Sequence, residues 1–187
     1  MLLEVIGVVS GVLYVVLAAR LSSLCWPVSF VNLSVYFYVF WVAGLYADSL
    51  LQVFYFVLTV YGWWSWTRQQ PVSQGPLRVH RLRVQGWAGI LGSVTLATLL
   101  LAWFLKTFTP SEVPFLDAHT TAVSLVAQAL ATRKILENWL LWIWANVFYC
   151  GLYLYKGLYL TCGLYGFFLV LAFYGFFEWK RVWRQTV

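Results

Sequence analysis

Seven apolar runs, each bounded by charged residues, proline or glycine, divide this 187-residue chain from end to end. They lie near residues 4–20, 26–45, 48–67, 84–106, 116–134, 137–156 and 157–179. Several reach the roughly 18 apolar residues needed to span a bilayer as a helix. Only short connections stand between them, so almost nothing is left to build a soluble domain. Composition agrees: 63% of residues are hydrophobic, 10% are charged, and mean hydropathy is +0.79. Ordinary soluble domains are about half apolar and about a quarter charged. The expected fold is therefore all-α and integral to a membrane. The fifth run is the most polar, and six spans is the alternative count. The opening MLLEVIGVVSGVLYVVLAAR has Glu4 where a signal peptide has basic residues, so it reads as a retained first helix.

Charge gives the chain a direction. With seven spans and the N-terminus outside, ten of twelve Lys and Arg fall on one side: Arg20, Arg68, Arg78, Arg81, Arg83, Arg133, Lys134, Lys180, Arg181 and Arg184. Lys106 and Lys156 fall on the other, with Glu4, Asp48, Glu112 and Asp117. Cytoplasmic loops carry this basic excess, which puts the C-terminus and TRQQPVSQGPLRVHRLR inside and KTFTPSEVPFLD outside. The net charge of +6 is thus spent in short loops between spans, not in a patch for nucleic acid. Cys25, Cys150 and Cys162 lie in or beside apolar runs with no CxxC pair and no adjacent His, and read as packing residues.

An internal repeat organises the spans. GLYADSLLQVFYFVLTVYGWWSWTR begins at Gly44, and GLYLTCGLYGFFLVLAFYGFFEWKR begins 113 positions later at Gly157. They share 11 of 25 residues without a gap. The same offset carries Leu17, Ala18 and Arg20 onto Leu130, Ala131 and Arg133, Trp26 onto Trp139, and Tyr36 onto Tyr149. Spans 1–3 therefore repeat as spans 5–7. The expected division is a first three-helix repeat at 1–69, a basic loop with a linking fourth helix at 70–113, and a second repeat at 114–187. Because three is odd, the fourth span restores the starting side, and the two repeats run parallel. Parallel repeats about an axis along the membrane normal are a transporter plan, with substrate held between the halves.

Three spans carry a polar or aromatic stripe at helical spacing. The sixth has Trp139, Trp142, Asn146, Tyr149 and Tyr153; the third has Gln52, Tyr55, Thr59, Trp63 and Trp66; the fifth has Asp117, Thr121, Ser124, Gln128 and Thr132. Turned into lipid these groups would lose their hydrogen-bond partners, so the stripes should face one another or a wet cavity. Trp26, Trp179 and Trp183, near span ends, read instead as an interfacial belt. Thr59, Ser124 and Thr132 are evenly balanced between ligand contact and bonds to their own helix. Asn146 and Gln128 are amides that need partners, as interhelical ties or ligand contacts. In the first repeat, Trp142 and Asn146 become Ser29 and Leu33. That asymmetry favours a ligand. Two indoles one turn apart suit a flat cationic ring, and the amide suits a carboxamide, amine or ribose hydroxyl. Glu137, beside Arg133 and Lys134, reads as a loop ion pair.

TRKILENWLLWIWAN, with its W-x-x-W-x-x-x-N core, and QVFYFVLTVYGWWSWTRQ resemble the PnuC family of vitamin transporters, and the resemblance runs from the first span to the terminal EWKR. It implies seven helices in a three-plus-one-plus-three arrangement similar to that of SWEET sugar transporters. It also implies facilitated diffusion across a bacterial cytoplasmic membrane, with the substrate retained by a cytoplasmic kinase, and a homotrimer. The implied cargo is nicotinamide riboside, a small cationic heteroaromatic vitamin, and thiamine is the alternative within the family; another branch carries riboflavin. Trp139, Trp142 and Asn146 match the family's substrate motif. Gln128, Trp63, Trp66 and Tyr149 join them as expected contacts from the stripes. No cofactor is implied. An enzyme is disfavoured because neither His80 nor His119 pairs with a nucleophile at a motif spacing. A Walker loop, which an ATP-driven pump would need, is absent from the sequence.

Overall fold

The computed structural model describes residues 2–42, 44, 46–68, 79–109, 113–155, 157 and 159–186. Each expected span is a helix: α1 (Leu2–Ala19), α2 (Cys25–Val42), α3 (Tyr46–Arg68), α4 (Val84–Phe108), α5 (Pro114–Thr132), α6 (Asn138–Tyr155) and α7 (Tyr159–Thr186). α7 runs past its apolar stretch, where Glu178 and Arg181 pair at 2.7 Å across one turn and support further helix. By length and composition α1, α2, α4 and α7 are apolar enough to cross a membrane. The stripes dilute α3, α5 and α6. Arg78 and most of the basic loop, with Lys156 and Glu112, lie outside the described residues.

The helices close into a ring. α1 packs on α2 and α7, α2 on α3, α3 on α5, α5 on α6, and α6 on α7; α4 lies outside against α5. Outer faces carry exposed large apolar side chains such as Val53, Val57, Leu99, Trp103 and Val170, as a surface solvated by lipid requires.

Positions 113 apart adopt the same geometry at several places. α1 ends with Leu21 at φ 55° and α5 with Lys134 at φ 55°, the two non-glycine residues with positive φ among those described. At each end the left-handed residue's N–H reaches back to Ala18 or Ala131 (3.0 Å both), and the next N–H reaches Leu17 or Leu130 (2.9 and 3.1 Å). This pair of bonds is a Schellman motif, which closes orphan carbonyls at a helix C-terminus. Gly44 and Gly157 take positive φ after α2 and α6.

The same end of the ring is filled by four indoles. Trp26 meets Trp66 edge-on at 5.3 Å, Trp139 meets Trp179 edge-on at 5.6 Å, and Trp66 lies 6.0 Å from Trp179. Trp66 Nε1 donates to the Ala131 carbonyl at 3.2 Å, and Trp179 Nε1 donates to that of Ala18 at 3.0 Å. Each three-helix set thus ties the α1 or α5 terminus of the other. Gly62 and Gly175 make room: a Cβ at either would overlap the ring of Trp26 or Trp139. The expected interfacial belt is therefore corrected for Trp26 and Trp179, each 1% exposed. Gly62 leaves room for the Trp26 ring, and Trp179 turns inward to bond the Ala18 carbonyl. Trp183 is half-buried beneath the Arg81 guanidinium, 4.9 Å from its ring.

Beyond the indoles, residues 79–83 clasp the α5–α6 turn. His80 N donates to Lys134 O, and Leu136 N to His80 O, both at 2.9 Å. Glu137 accepts from Leu82 N at 3.0 Å and Arg81 Nε at 3.3 Å. Glu137 is thus a loop ion pair as expected, with Arg81 as its partner.

Candidate binding site

α5 supplies the most continuous polar face. Steps of four residues put Thr120, Ser124, Gln128 and Thr132 on its inner side, and all four are buried. Thr120 bonds its own helix at Leu116 O and Asp117 O, and Thr132 does so at Ala129 O. Ser124 Oγ has no hydrogen-bond partner among the described residues. Gln128 Oε1 accepts from the Tyr14 hydroxyl of α1 at 3.0 Å. This is the amide's one hydrogen bond to described protein groups, and the Nε2 hydrogens have no partner among them. Tyr14 was absent from the sequence expectations. Its signal was a lone tyrosine deep within an apolar span, in helical register with Ser10.

α6 contributes Trp139, Trp142, Asn146 and Tyr149, which share one face as expected. Asn146 Nδ2 donates to Trp142 O at 2.8 Å, and its Oδ1 is without a described partner. Trp142 is half-buried against the indole layer. Tyr149 lies 4.7 Å from Tyr165 of α7 and stacks towards Tyr153 at 6.3 Å. Trp139 belongs to the layer itself, with Trp179 on its edge and Gly175 on its flank. Trp66 is held there too, by its bond to Ala131 and by Lys134 Nζ 5.5 Å from its ring centre.

Trp63 stands apart from the other expected contacts. It is 44% exposed and packs against Phe30 at 5.7 Å on the outer side. The third-span stripe is corrected here: from Thr59 the inward face continues through Gly62 to Trp66, and Trp63 points about 100° away, one residue further round. Thr59 itself is fully buried and bonds Ser29 of α2 at 3.1 Å.

The two ends of the ring differ in charge. At one end Asp48 and Asp117 come within interacting distance, and Glu4 lies near Tyr36. At the other, Lys134 is fully buried in the α5–α6 turn, and loss of water pushes its ammonium pKa down from 10.5 to about 8. No cluster of three or more metal-ligating side chains occurs among the described residues.

A family described as Nicotinamide mononucleotide transporter matches residues 1–181. The chain belongs to this family. Its members are transporters, so this chain is a multi-pass membrane transporter and not an enzyme. Within the family it is similar to the nicotinamide riboside transporter PnuC of Escherichia coli K12, 27% identical over 208 residues, covering 98% of this chain and 85% of that one. The nicotinamide riboside transporter PnuC of Haemophilus influenzae is 27% identical over 187 residues, covering 98% and 81%. The riboflavin/roseoflavin transporter RibM of Streptomyces davaonensis is 24% identical over 181 residues, covering 94% and 83%. The fold matches the crystal structure of the vitamin B3 transporter PnuC with a TM-score of 0.80 at 23% identity, over 98% of this chain and 82% of that one.

Proposed function

We propose that this chain carries nicotinamide riboside across the bacterial cytoplasmic membrane by facilitated diffusion, with phosphorylation by a cytoplasmic kinase retaining it inside. Relatives matched over 98% of this chain are named for that cargo. One observation in the chain itself bears most weight: two buried amides on neighbouring helices present complementary unmatched groups. Gln128 offers N–H donors and Asn146 offers a carbonyl acceptor. A hydrogen bond that a ligand makes to such a group contributes about 0.5–1.5 kcal/mol. A nicotinamide carboxamide supplies one acceptor and one donor group, which matches both. Trp142, on the face of Asn146, gives a cationic pyridinium a π surface, and Tyr149 extends that aromatic wall.

The same reading includes a three-plus-one-plus-three architecture of parallel repeats, divided at 1–69, 70–113 and 114–187, with the N-terminus outside and the C-terminus inside. Its support is the set of paired features above: Leu21 with Lys134, Gly44 with Gly157, Gly62 with Gly175, and the reciprocal indole bonds. The acidic residues then guard the outer mouth, where they attract a cation, and the homotrimer implied by the family resemblance completes the assembly.

Replacing Asn146 with Leu tests the site. Leu is what the first repeat carries at this position, as buried Leu33, so the fold should tolerate it. Uptake of labelled riboside by cells expressing the variant should fall about 100-fold or more, the equivalent of roughly 3 kcal/mol, at unchanged membrane abundance. Uptake equal to the native chain would remove Asn146 from the site.

A further inference from the structure

Two of the three cysteines meet where α6 ends and α7 begins. Cys150 Sγ lies 3.8 Å from the Cys162 carbonyl, and Cys162 Sγ lies 3.5 Å from the Cys150 carbonyl. Each side chain thus reaches across to the other residue, and the two thiols are within interacting distance. Both are partly exposed, whereas Cys25 is fully buried at the start of α2.

The repeat separates what packing explains from what it does not. Cys162 corresponds to Ser49, and Cys150 corresponds to Phe37. Ser49 Oγ donates to the Phe37 carbonyl at 3.3 Å, the same contact that Cys162 makes to Cys150. A small side chain with a donor therefore ties both helix pairs at this place. That tie asks only for the partner's carbonyl. In the first set the partner is Phe37, whose exposed ring stacks on Trp41 at 6.0 Å. In the second set the partner carries a thiol turned back towards Cys162. The helix contact gives no reason for that second thiol.

A disulfide needs two side chains directed at each other across a short gap, and this pair is so arranged. Cys150 lies five residues before the end of α6 and Cys162 three after the start of α7, about 7.5 Å and about 4.5 Å of axial rise. Gly151 and Gly163 follow the two cysteines, and nothing stands within 4 Å of where either would carry a Cβ. The surface beside the thiols is therefore open to a small reagent.

We propose that Cys150 and Cys162 form a reversible thiol–disulfide site, closed by exchange with a disulfide outside the membrane. One cysteine thiolate attacks the external disulfide, forms a mixed disulfide and releases one of its thiols. The second cysteine attacks the protein sulfur of that mixed disulfide and releases the other thiol. The two protein thiols lose two electrons and two protons, and the external disulfide takes up both to become two thiols. The new bond joins α6, which carries Trp142 and Asn146, to α7. Its formation in the cell rests on the orientation proposed above, since thiols facing the cytoplasm are kept reduced.

Purified native chain, Cys150→Ser and Cys162→Ser are each incubated with oxidised glutathione, alkylated, and measured by intact mass and peptide mapping. The native chain should lose two hydrogen atoms, with Cys150 joined to Cys162, and a thiol reductant should reverse the change. Each variant should instead keep one glutathione, because no second thiol remains to release it. Serine already stands at the place of Cys162 in the first set, as Ser49, so the fold should accept that variant. A native chain that keeps both thiols, or that holds glutathione as the variants do, would overturn the site. Intact cells expressing the native chain and given the same reagent from outside should show the same bond. Closure in the purified chain but not in cells would overturn the outward placement, and with it the orientation, while the chemistry of the pair would stand.

Discussion

Trp139 and Asn146 lie two turns apart on α6, and their counterparts in the first three-helix set differ in kind. Trp139 is mirrored by Trp26: both rings are buried, both rest on a glycine, and both meet a second indole edge-on. Asn146 is mirrored by Leu33, Gln128 by Val15, Ser124 by Gly11 and Tyr55 by Phe168. One end of the ring is thus built twice from the same parts, while in the middle each of these four pairs has one polar and one apolar member, three of the polar ones in the second set. Frame residues repeat because both sets need the same frame. Residues that serve one asymmetric ligand need occur only once. By that comparison Trp66 and Trp139 hold the bundle, and the unmatched residues are the ones proposed to meet the cargo.

The comparison can be broken first at Lys134. Its counterpart Leu21 adopts the same φ of 55°, so Lys134→Leu places a residue in a backbone conformation that leucine already takes elsewhere in the fold. The folded pKa of about 8 lies below the ordinary 10.5, so between these values the unfolded chain binds more protons and stability rises with pH. The full change is about 3 kcal/mol. Melting of the detergent-purified native chain should therefore shift upward between pH 8 and 10 relative to Lys134→Leu. A parallel pH response in the two proteins would show that the buried ammonium carries no such cost.

A smaller effect sharpens the frame. Gly62→Ala and Gly175→Ala each force a methyl group into an indole ring, and overpacking of this kind costs about 1–3 kcal/mol. Matched geometry predicts similar losses in thermal stability for both. Loss at one site alone would mean that the two indole pairs are not equivalent parts.

Much of this was legible in the sequence, because periodicity and an ungapped repeat report which residues share a face and which helices correspond. Apart from the longer C-terminal end of α7, the seven helices fall within a few residues of the apolar runs; Ser124, Gln128 and Thr132 of the α5 stripe are buried as expected, with Thr120 in place of Thr121, and the α6 stripe shares one face. Tryptophan direction was less legible. A tryptophan near a span end suits a lipid belt equally well, and what turns these two inward lies on other helices: Gly62 of α3 for Trp26 and the Ala18 carbonyl of α1 for Trp179. Trp63 failed for a simpler reason: steps of three and four from Thr59 reach both Gly62 and Trp63, and aromatic character favoured the wrong one.

The central claim is that the unmatched middle of this bundle reads a cationic nucleoside. Equilibrium binding of nicotinamide riboside and of thiamine to the detergent-purified native chain, followed by tryptophan quenching, tests it most directly. The account predicts quenching by the riboside, with Trp142 nearest the ring, and none by thiamine at the same concentrations. Quenching by thiamine alone would contradict it, since thiamine carries neither the carboxamide that Gln128 and Asn146 are proposed to read nor a ribose.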